Sequence, residues 1–245
     1  MQELFWNLYA RWYDRLTILR AYTELQERVI TELEVVSPNT QILDAACGTG
    51  NLFMRLVKCY PLARVIGIER SAVMARQARG KLDAYRDQTG EGYYSEIYEL
   101  DLNKPLTDIG GWEENTFNAI VSVNTLYALE NPEGFLRECR RLLAPGGRMV
   151  LVNPWVPKPQ LVLVDHIQQM ALGGDIRMLA EFIVSAPEIV ALYVSNMVIA
   201  KQAKNQVYHF YEPTHLVKLM EDVGFEVQQF DESVYADTCC LITAR

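Results

Sequence analysis

Ile42-Leu43-Asp44-Ala45-Ala46-Cys47-Gly48-Thr49-Gly50 reads as an apolar strand that ends on an acid and breaks into a glycine turn just before a helical segment starting at Asn51. Two glycines there let the backbone bend sharply and come close to a ligand with no Cβ in the way. Dinucleotide-binding chains add a third glycine, at a spacing where this chain has Phe53. That ring would obstruct the approach of a pyrophosphate to the helix N-terminus. No Gly-Lys-Ser/Thr occurs, which excludes a phosphate cradle of the ATP or GTP type. An acid ahead of the glycines suits a ligand with a positive group near the turn, such as the ammonium of an amino-acid moiety.

Working outward, apolar runs and helical patterns alternate. Residues from about Gln2 to Glu34 read as one or two helices, followed by strand Gln41–Ala45, helix Asn51–Cys59, strand Arg64–Glu69 and helix Ala72–Arg86. Strands near Tyr94–Leu100, Phe117–Ser122 and Arg148–Val152 continue the alternation, with helix Pro132–Leu143 between the last two. Such alternation gives parallel strands with right-handed crossovers. Helix Pro213–Val223, strand Phe225–Phe230 and strand Thr238–Ala244 follow without a long crossover between the two strands, so the sheet should close with an antiparallel pair. The expected fold is α/β: a seven-stranded, mostly parallel sheet with an antiparallel closing strand and helices on both faces. In such sheets a ligand sits at the carboxyl ends of the strands, where Asp44, Glu69, Asp101 and Asn124 fall.

Composition agrees with one enzyme-sized domain, residues 1–245. At 245 residues and 50% hydrophobic, the chain can bury a large core. A net charge of −8, with no long basic run, argues against a groove that tracks phosphates, so no nucleic-acid partner is expected. Cys47, Cys59, Cys139, Cys239 and Cys240 are odd in number and lack metal-ligand spacing, which predicts free thiols in a reducing cytoplasm and no metal site. Cys239 and Cys240 should face opposite sides of one strand. The N-terminal residues carry Glu3, Arg11 and Asp14 among their aromatics, unlike a signal peptide.

At this point the chain resembles the class I, Rossmann-like S-adenosylmethionine-dependent methyltransferases. Asp44-Ala-Ala-Cys-Gly48-Thr-Gly50 is similar to the family's first motif, and Val65-Ile66-Gly67-Ile68-Glu69 to its second strand, with Glu69 placed to accept the ribose hydroxyls. Glu99-Leu100-Asp101-Leu102 resembles the third-strand motif, in which Asp101 would meet the adenine amine and Leu102 offer a backbone N–H. Phe117 to Tyr127 is similar to the fourth strand and its loop, with Asn118 where the family more often has Asp, and Leu143-Ala-Pro-Gly-Gly147 to Val152 is similar to the turn and fifth strand. The resemblance implies S-adenosyl-L-methionine as cofactor, S-adenosyl-L-homocysteine as product, and a cofactor-binding set of Tyr13, Asp44, Ala45, Gly48, Gly50, Glu69, Arg70, Asp101, Leu102 and Asn124.

Two parts fall outside the core pattern. Residues 1–35 form an N-terminal helical cap, where Tyr9-Ala-Arg-Trp-Tyr13-Asp-Arg-Leu resembles the opening helix of the ubiquinone and menaquinone C-methyltransferase branch. Tyr9 and Tyr13 are four apart and share a face, and in that family the segment closes over the cofactor, whose sulfonium aromatic faces can attract by ~0.5–2 kcal/mol. Residues 155–208 form a helical insertion rich in Leu, Val, Ile and Met, among them Met170, Met178 and Met197. Within it, Phe182–Ala200 approaches the ~20 apolar residues that span a bilayer, but Pro187, Glu188, Ser195 and Asn196 interrupt it, so no integral membrane segment is expected. The insertion is read as a lid over an apolar acceptor pocket, with burial against the core or in a homodimer as its competing role.

Methyl transfer needs little acid–base help, because in-line placement of the partners within ~3–3.5 Å supplies most of the acceleration. A base matters only for an acceptor that must lose a proton. The candidates are Tyr127, His166 and His209, with Tyr9, Tyr127 and His166 as substrate contacts. The expected function is methyl transfer to O, N or C of a small, largely apolar molecule. The alternatives are a diverged enzyme that uses the cofactor without transferring methyl, and a non-catalytic cofactor-binding or assembly protein.

Overall fold

The structure is a computed structural model that describes residues 2–34, 40–106, 111–173, 176–203 and 207–245. The side chains of residues 2, 3 and 176–178 also fall outside that description, and Met178 with them. Seven strands form one sheet: β1 (Gln41–Ala45), β2 (Arg64–Glu69), β3 (Glu96–Glu99), β4 (Phe117–Val123), β5 (Leu143–Pro154), β6 (Val227–Ser233) and β7 (Cys239–Ala244), in the order β3-β2-β1-β4-β5-β7-β6. β1 pairs in parallel with β2 and β4, β2 with β3, and β4 with β5, while β7 runs antiparallel to both β5 and β6. The sheet is therefore parallel but for β7, the strand that enters by a short link instead of a crossover.

The central strands are apolar in both registers because helices cover both faces. Leu43, Ile66 and Ile120 pack into one core cluster, whereas their neighbours Ile42, Val65 and Val121 pack into the other. Cys240 and Cys239 divide in the same way, as a strand's two-residue period requires. Helices α3 (Asn51–Cys59) and α4 (Ala72–Thr89) follow β1 and β2, and α5 (Pro132–Leu142) precedes β5. Local caps set their starts: Ser71 Oγ accepts the Met74 N–H at 3.3 Å, and Asn131 Oδ1 accepts the Gly134 N–H at 2.9 Å ahead of Pro132.

Element limits differ from the pattern-based ones where tertiary pairing extends or trims a strand. β5 begins at Leu143 instead of Arg148, because the chain leaves α5 directly into pairing with Phe117. β6 runs Val227–Ser233 instead of Phe225–Phe230, since it follows its partner β7 and exposes most of its side chains.

The cap and the insertion lie over the carboxyl ends of the strands. The cap comprises α1 (Gln2–Tyr13), a 3-10 turn (Asp14–Ile18) and α2 (Arg20–Leu33). The insertion comprises α6 (Pro159–Gly173), α7 (Ile176–Val184) and α8 (Ala186–Ala203); α9 (Pro213–Asp222) follows. α7 and α8 break at Ser185, so the apolar stretch is two helices, and no helix among the described residues is long and apolar enough to cross a membrane. The Ser71 hydroxyl donates to Asn7 at 2.8 Å, Lys81 reaches Asp14 at 2.7 Å, and the Tyr9 hydroxyl donates to Asn196 Oδ1 at 3.0 Å. The cap is thus tied to the β2–α4 loop, to α4 and to the insertion.

Candidate functional site

The glycine turn after β1 does two separate jobs. Gly50 (φ 85°) starts α3, and a Cβ there would stand 2.9 Å from Ala78 Cβ, so its smallness serves the packing of α3 against α4. Gly48 (φ 58°) opens onto a cavity, with the Tyr13 ring 3.6 Å from where a Cβ would be. Phe53, the ring at the position of a third glycine, is fully buried against Gly67. A phosphate path at this helix start is closed by that packing.

The cavity beside Gly48 is lined by residues that follow β1, β2, β3 and β4, including Ala46, Glu69, Arg70, Asp101, Leu102 and Asn124, with Trp6 and Tyr13 of the cap above. Glu69 is held by main-chain donors: the Gly48 N–H at 3.1 Å on one oxygen and the Ser71 N–H at 2.7 Å on the other. Burial raises the Glu69 carboxyl above the usual range, and those N–H groups pull it back down. Asp101 accepts the Asn103 N–H at 3.1 Å and sits 3.9 Å from Arg70 Nη1.

Asp44 lies behind the turn and not on the cavity wall. Its side chain is 1% exposed, Oδ2 has no hydrogen-bond partner, and burial followed by repulsion from Glu69 pushes its carboxyl up to about 8. Ala45 is likewise buried, its carbonyl accepting from the Thr125 hydroxyl at 3.4 Å. A buried acid with an orphaned oxygen beneath a glycine turn, next to a second acid, provides a place that a cationic, donor-rich ligand would stabilise.

A second cavity adjoins the first, and Trp6, Tyr13 and Asn124 line both. Its volume is about 1030 Å³ with its open mouth included. Its walls come from α1, the Pro154–Pro159 link, α6, α8 and the β6–β7 connection, and they are apolar or aromatic except for a few polar groups. Lys158 is the one charged side chain among its lining residues. Tyr9 and Tyr127 stand on this wall, Tyr127 fixed by its N–H donating to Asn153 Oδ1 at 3.0 Å and its carbonyl accepting the His209 N–H at 2.7 Å. Burial holds the Tyr127 hydroxyl well above the usual phenol range, so it stays protonated at neutral pH.

The structure brings Tyr13, Gly48, Glu69, Arg70, Asp101, Leu102 and Asn124 to the first cavity and Tyr9 and Tyr127 to the second. It leaves Asp44, Ala45 and Gly50 behind the first, as support. His166 is not on either wall, contrary to its expected role as base and substrate contact. It is buried under α7, its ring 5.2 Å from Phe182 and its Nδ1 accepting the Arg20 N–H at 3.4 Å. His209 lines neither cavity, and its ring lies 6.3 Å from that of Tyr211 at a 35° tilt. Sequence reading missed Ala46, Ser71, Thr125, Trp6 and Tyr235 as wall residues. The first three follow named strand ends by one or two positions and could have been found by that offset; Tyr235 carries no local pattern.

Comparison with known proteins fits this division. Residues 43–149, β1 through most of β5, match a family described as "Methyltransferase domain". The chain is 24% identical over 221 residues to a demethylmenaquinone methyltransferase from Thermotoga maritima, covering 89% of this chain and 85% of that one. It is 33% identical over 141 residues to a polyketide synthase-like protein from Preussia isomera, covering 51% of this chain but only 6% of that much longer one. Among solved structures it resembles a geranyl diphosphate C-methyltransferase from Streptomyces coelicolor, in complex with Mg2+, geranyl diphosphate and S-adenosyl-L-homocysteine, with a TM-score of 0.60, 14% identity, and coverage of 91% of this chain and 78% of that one.

Proposed function

This chain carries a class I S-adenosylmethionine-dependent methyltransferase domain, and from that premise we propose that the protein transfers a methyl group to O, N or C of a small, largely apolar molecule held in the second cavity. The observation that supports this reading is the junction of the two cavities at Trp6, Tyr13 and Asn124. A polar, acid-bearing cavity and an apolar one share a wall there, as donor and acceptor of a transferred group require.

The residues of the first cavity fit S-adenosylmethionine. Glu69 suits the ribose hydroxyls, Asp101 and the Leu102 backbone suit the adenine edge, and the open backbone at Gly48, with Asp44 beneath, suits the amino-acid end. Bound there, the cofactor supplies an activated methyl on a sulfonium. The chain's own task is then to place and to shield. Trp6 and Tyr13 present aromatic faces at the junction, where a cation is favoured by ~0.5–2 kcal/mol. The cap, held by Asn7, Asp14 and Tyr9, covers the junction of the two sites. The Tyr127 hydroxyl, protonated at neutral pH, donates a hydrogen bond to the acceptor instead of removing its proton. An acceptor that must lose a proton therefore loses it to solvent.

The test is a labelled-donor assay. Purified protein with methyl-labelled S-adenosylmethionine and a small-molecule extract is expected to give label in the organic-extractable fraction, and calorimetry is expected to show S-adenosylhomocysteine binding. Cofactor binding without label transfer to any small molecule would replace this reading with that of a binding or assembly protein.

A further inference from the structure

The link from β6 to β7 has an unusual backbone. Tyr235 (φ 54°, ψ 56°), Ala236 (φ 55°, ψ 46°) and Asp237 (φ 57°) are three successive non-glycine residues in the left-handed region. Each such residue costs ~1–2 kcal/mol, and a run of them persists only where its surroundings over-determine it. Here the Thr238 N–H and hydroxyl both donate to the Tyr235 carbonyl, at 3.3 and 2.7 Å. The Thr238 carbonyl accepts the Trp155 N–H at 3.0 Å, and Val234 bridges to Cys239 across the turn. The strain has a visible product: the Tyr235 ring lies 6.3 Å from that of Tyr22 and forms part of the acceptor cavity's wall.

The phenols around that cavity differ in what they bond. Tyr9 donates to Asn196, and Tyr13 stands at the junction with the first cavity, its ring 6.4 Å from that of Tyr22. Tyr193 is half-exposed on α8, where water can satisfy it. The hydroxyls of Tyr127 and Tyr235 have no hydrogen-bond partner among the described residues and are not sealed off as the buried Tyr208 hydroxyl is. Both side chains line the same cavity, and so does Cys239. Burial holds both phenols well above their usual range, which makes them donors and not bases.

We propose that Tyr127 and Tyr235 are a pair of hydrogen-bond donors that grip one oxygen of the methyl acceptor, and that the left-handed turn is the device that aims Tyr235. The acceptor is then a phenol, an enol or an enolisable carbonyl, methylated at that oxygen or at the carbon conjugated with it. Its proton goes to solvent, leaving an oxyanion that both hydroxyls stabilise. The anion's electron pair forms the new bond to the methyl carbon, and the carbon–sulfur bond breaks with its pair kept by sulfur, giving the neutral thioether. Amines gain nothing from two donors and are disfavoured. This inference rests on the second cavity being the acceptor site.

The test uses 4-nitrophenol, whose anion is coloured, bound to protein saturated with S-adenosylhomocysteine. The bound dye is expected to ionise at lower pH than the free dye. Tyr235→Phe and Tyr127→Phe should each return roughly one pKa unit of that shift, a tenfold change in its ionisation constant, and the double variant should return nearly all of it. Ala236→Pro, whose fixed negative φ breaks the left-handed turn, should match Tyr235→Phe while keeping the share of Tyr127. A dye that does not bind, that ionises at its free pH, or that keeps its shift in the double variant overturns the clamp. A shift untouched by Ala236→Pro overturns the role given to the turn. Calorimetry with S-adenosylhomocysteine and the labelled-donor assay report on the methyltransferase reading separately, so the clamp can fail while that reading stands.

Discussion

The two cavities share three wall residues and are built by opposite means. The first cavity is made by chain ends: four consecutive strands of the parallel sheet stop, and the next one to three residues of each, Ala46, Arg70, Asp101 and Asn124 among them, supply the wall. The second cavity is made mostly by side chains projected from helices, with Val162, Ile189, Leu192 and Ile199 of α6 and α8 across from Tyr9 of α1. The first contains Glu69, Arg70 and Asp101, whereas the second has Lys158 alone. On the proposed function, backbone geometry fixes the site for the cofactor and packing fixes the site for the acceptor.

The sharpest way to break that comparison is to remove one builder. Replacing residues 159–203, helices α6 to α8, with a short flexible linker should abolish methyl transfer, a loss of more than about 10³-fold, since positioning alone accounts for much of the acceleration. Cofactor affinity should fall by only about tenfold: Trp6 and Tyr13 lose the support that α1 draws from Asn196, but Glu69, Asp101 and Gly48 stay in place. Calorimetry and single-turnover rates on the same sample decide it. A complete loss of cofactor binding in a folded variant would show that the two sites are one unit.

The reciprocal change targets the strand ends. Glu69→Gln keeps the shape and loses the charge, and S-adenosylmethionine affinity should drop by roughly 10- to 150-fold, the value of about 1.5–3 kcal/mol in hydrogen bonds to a charged group. Gln offers one carbonyl for the Gly48 and Ser71 N–H groups that Glu69 now holds with two oxygens, so thermal melting should fall a little as well. Unchanged affinity by calorimetry would remove Glu69 from the cofactor site.

Asp44 tests whether a residue behind the wall matters to stability more than to contact. Its folded pKa of about 8 lies above the ~3.9 of an unfolded chain. The folded state therefore binds the extra proton between those values, and stability falls as pH rises through that window and levels off above it. Asp44→Asn removes that fall. In the absence of cofactor, its Tm should match the parent near pH 4 and exceed it at pH 8 by several degrees, at roughly 2–4 °C per kcal/mol. A parallel pH dependence in the two proteins would sink the argument.

How far the sequence could be read follows the same division. The parallel strands, the antiparallel closing pair and the placement of Glu69 and Asp101 were legible because they depend on local period and on offsets from strand ends. Gly50 was legible as a glycine but not in its reason, since the Ala78 contact joins two helices. The wall formed by Tyr235 was invisible, because in Ser233-Val-Tyr-Ala-Asp237 only Asp237 is of a type that tolerates left-handed backbone, and neither Tyr235 nor Ala236 announces it. The histidines misled for a related reason. A helical insertion fixes its residues' neighbours only once its helices have packed, and His166 proved to face Arg20 and Phe182.

Smaller effects sharpen the boundary of the proposed acceptor site. Tyr127→Phe preserves the ring and removes one donor, so the single-turnover rate should fall by up to about tenfold, short of the roughly 10²–10⁴-fold cost of losing a general base. A larger, pH-dependent loss would make Tyr127 a proton acceptor, which its buried, protonated hydroxyl opposes.

The smallest expected effect on rate belongs to His166→Ala, and it carries the strongest contrast between contact and support. His166 lines neither cavity, so kcat and its pH profile should change by less than about twofold. Its burial lowers the imidazole pKa, which means that the neutral ring is favoured in the folded chain while the unfolded chain takes up a proton near pH 6.5. Stability due to this ring is therefore present above pH 6.5 and is lost as pH falls through the unfolded value toward the lower folded one. Removing the ring also leaves a cavity beside Phe182 and an unmet Arg20 N–H, so His166→Ala should unfold more easily at pH 8, with a flatter acid limb in its melting curve. A variant with parental stability and an altered pH–rate profile would reverse the assignment and move His166 from the scaffold into the chemistry.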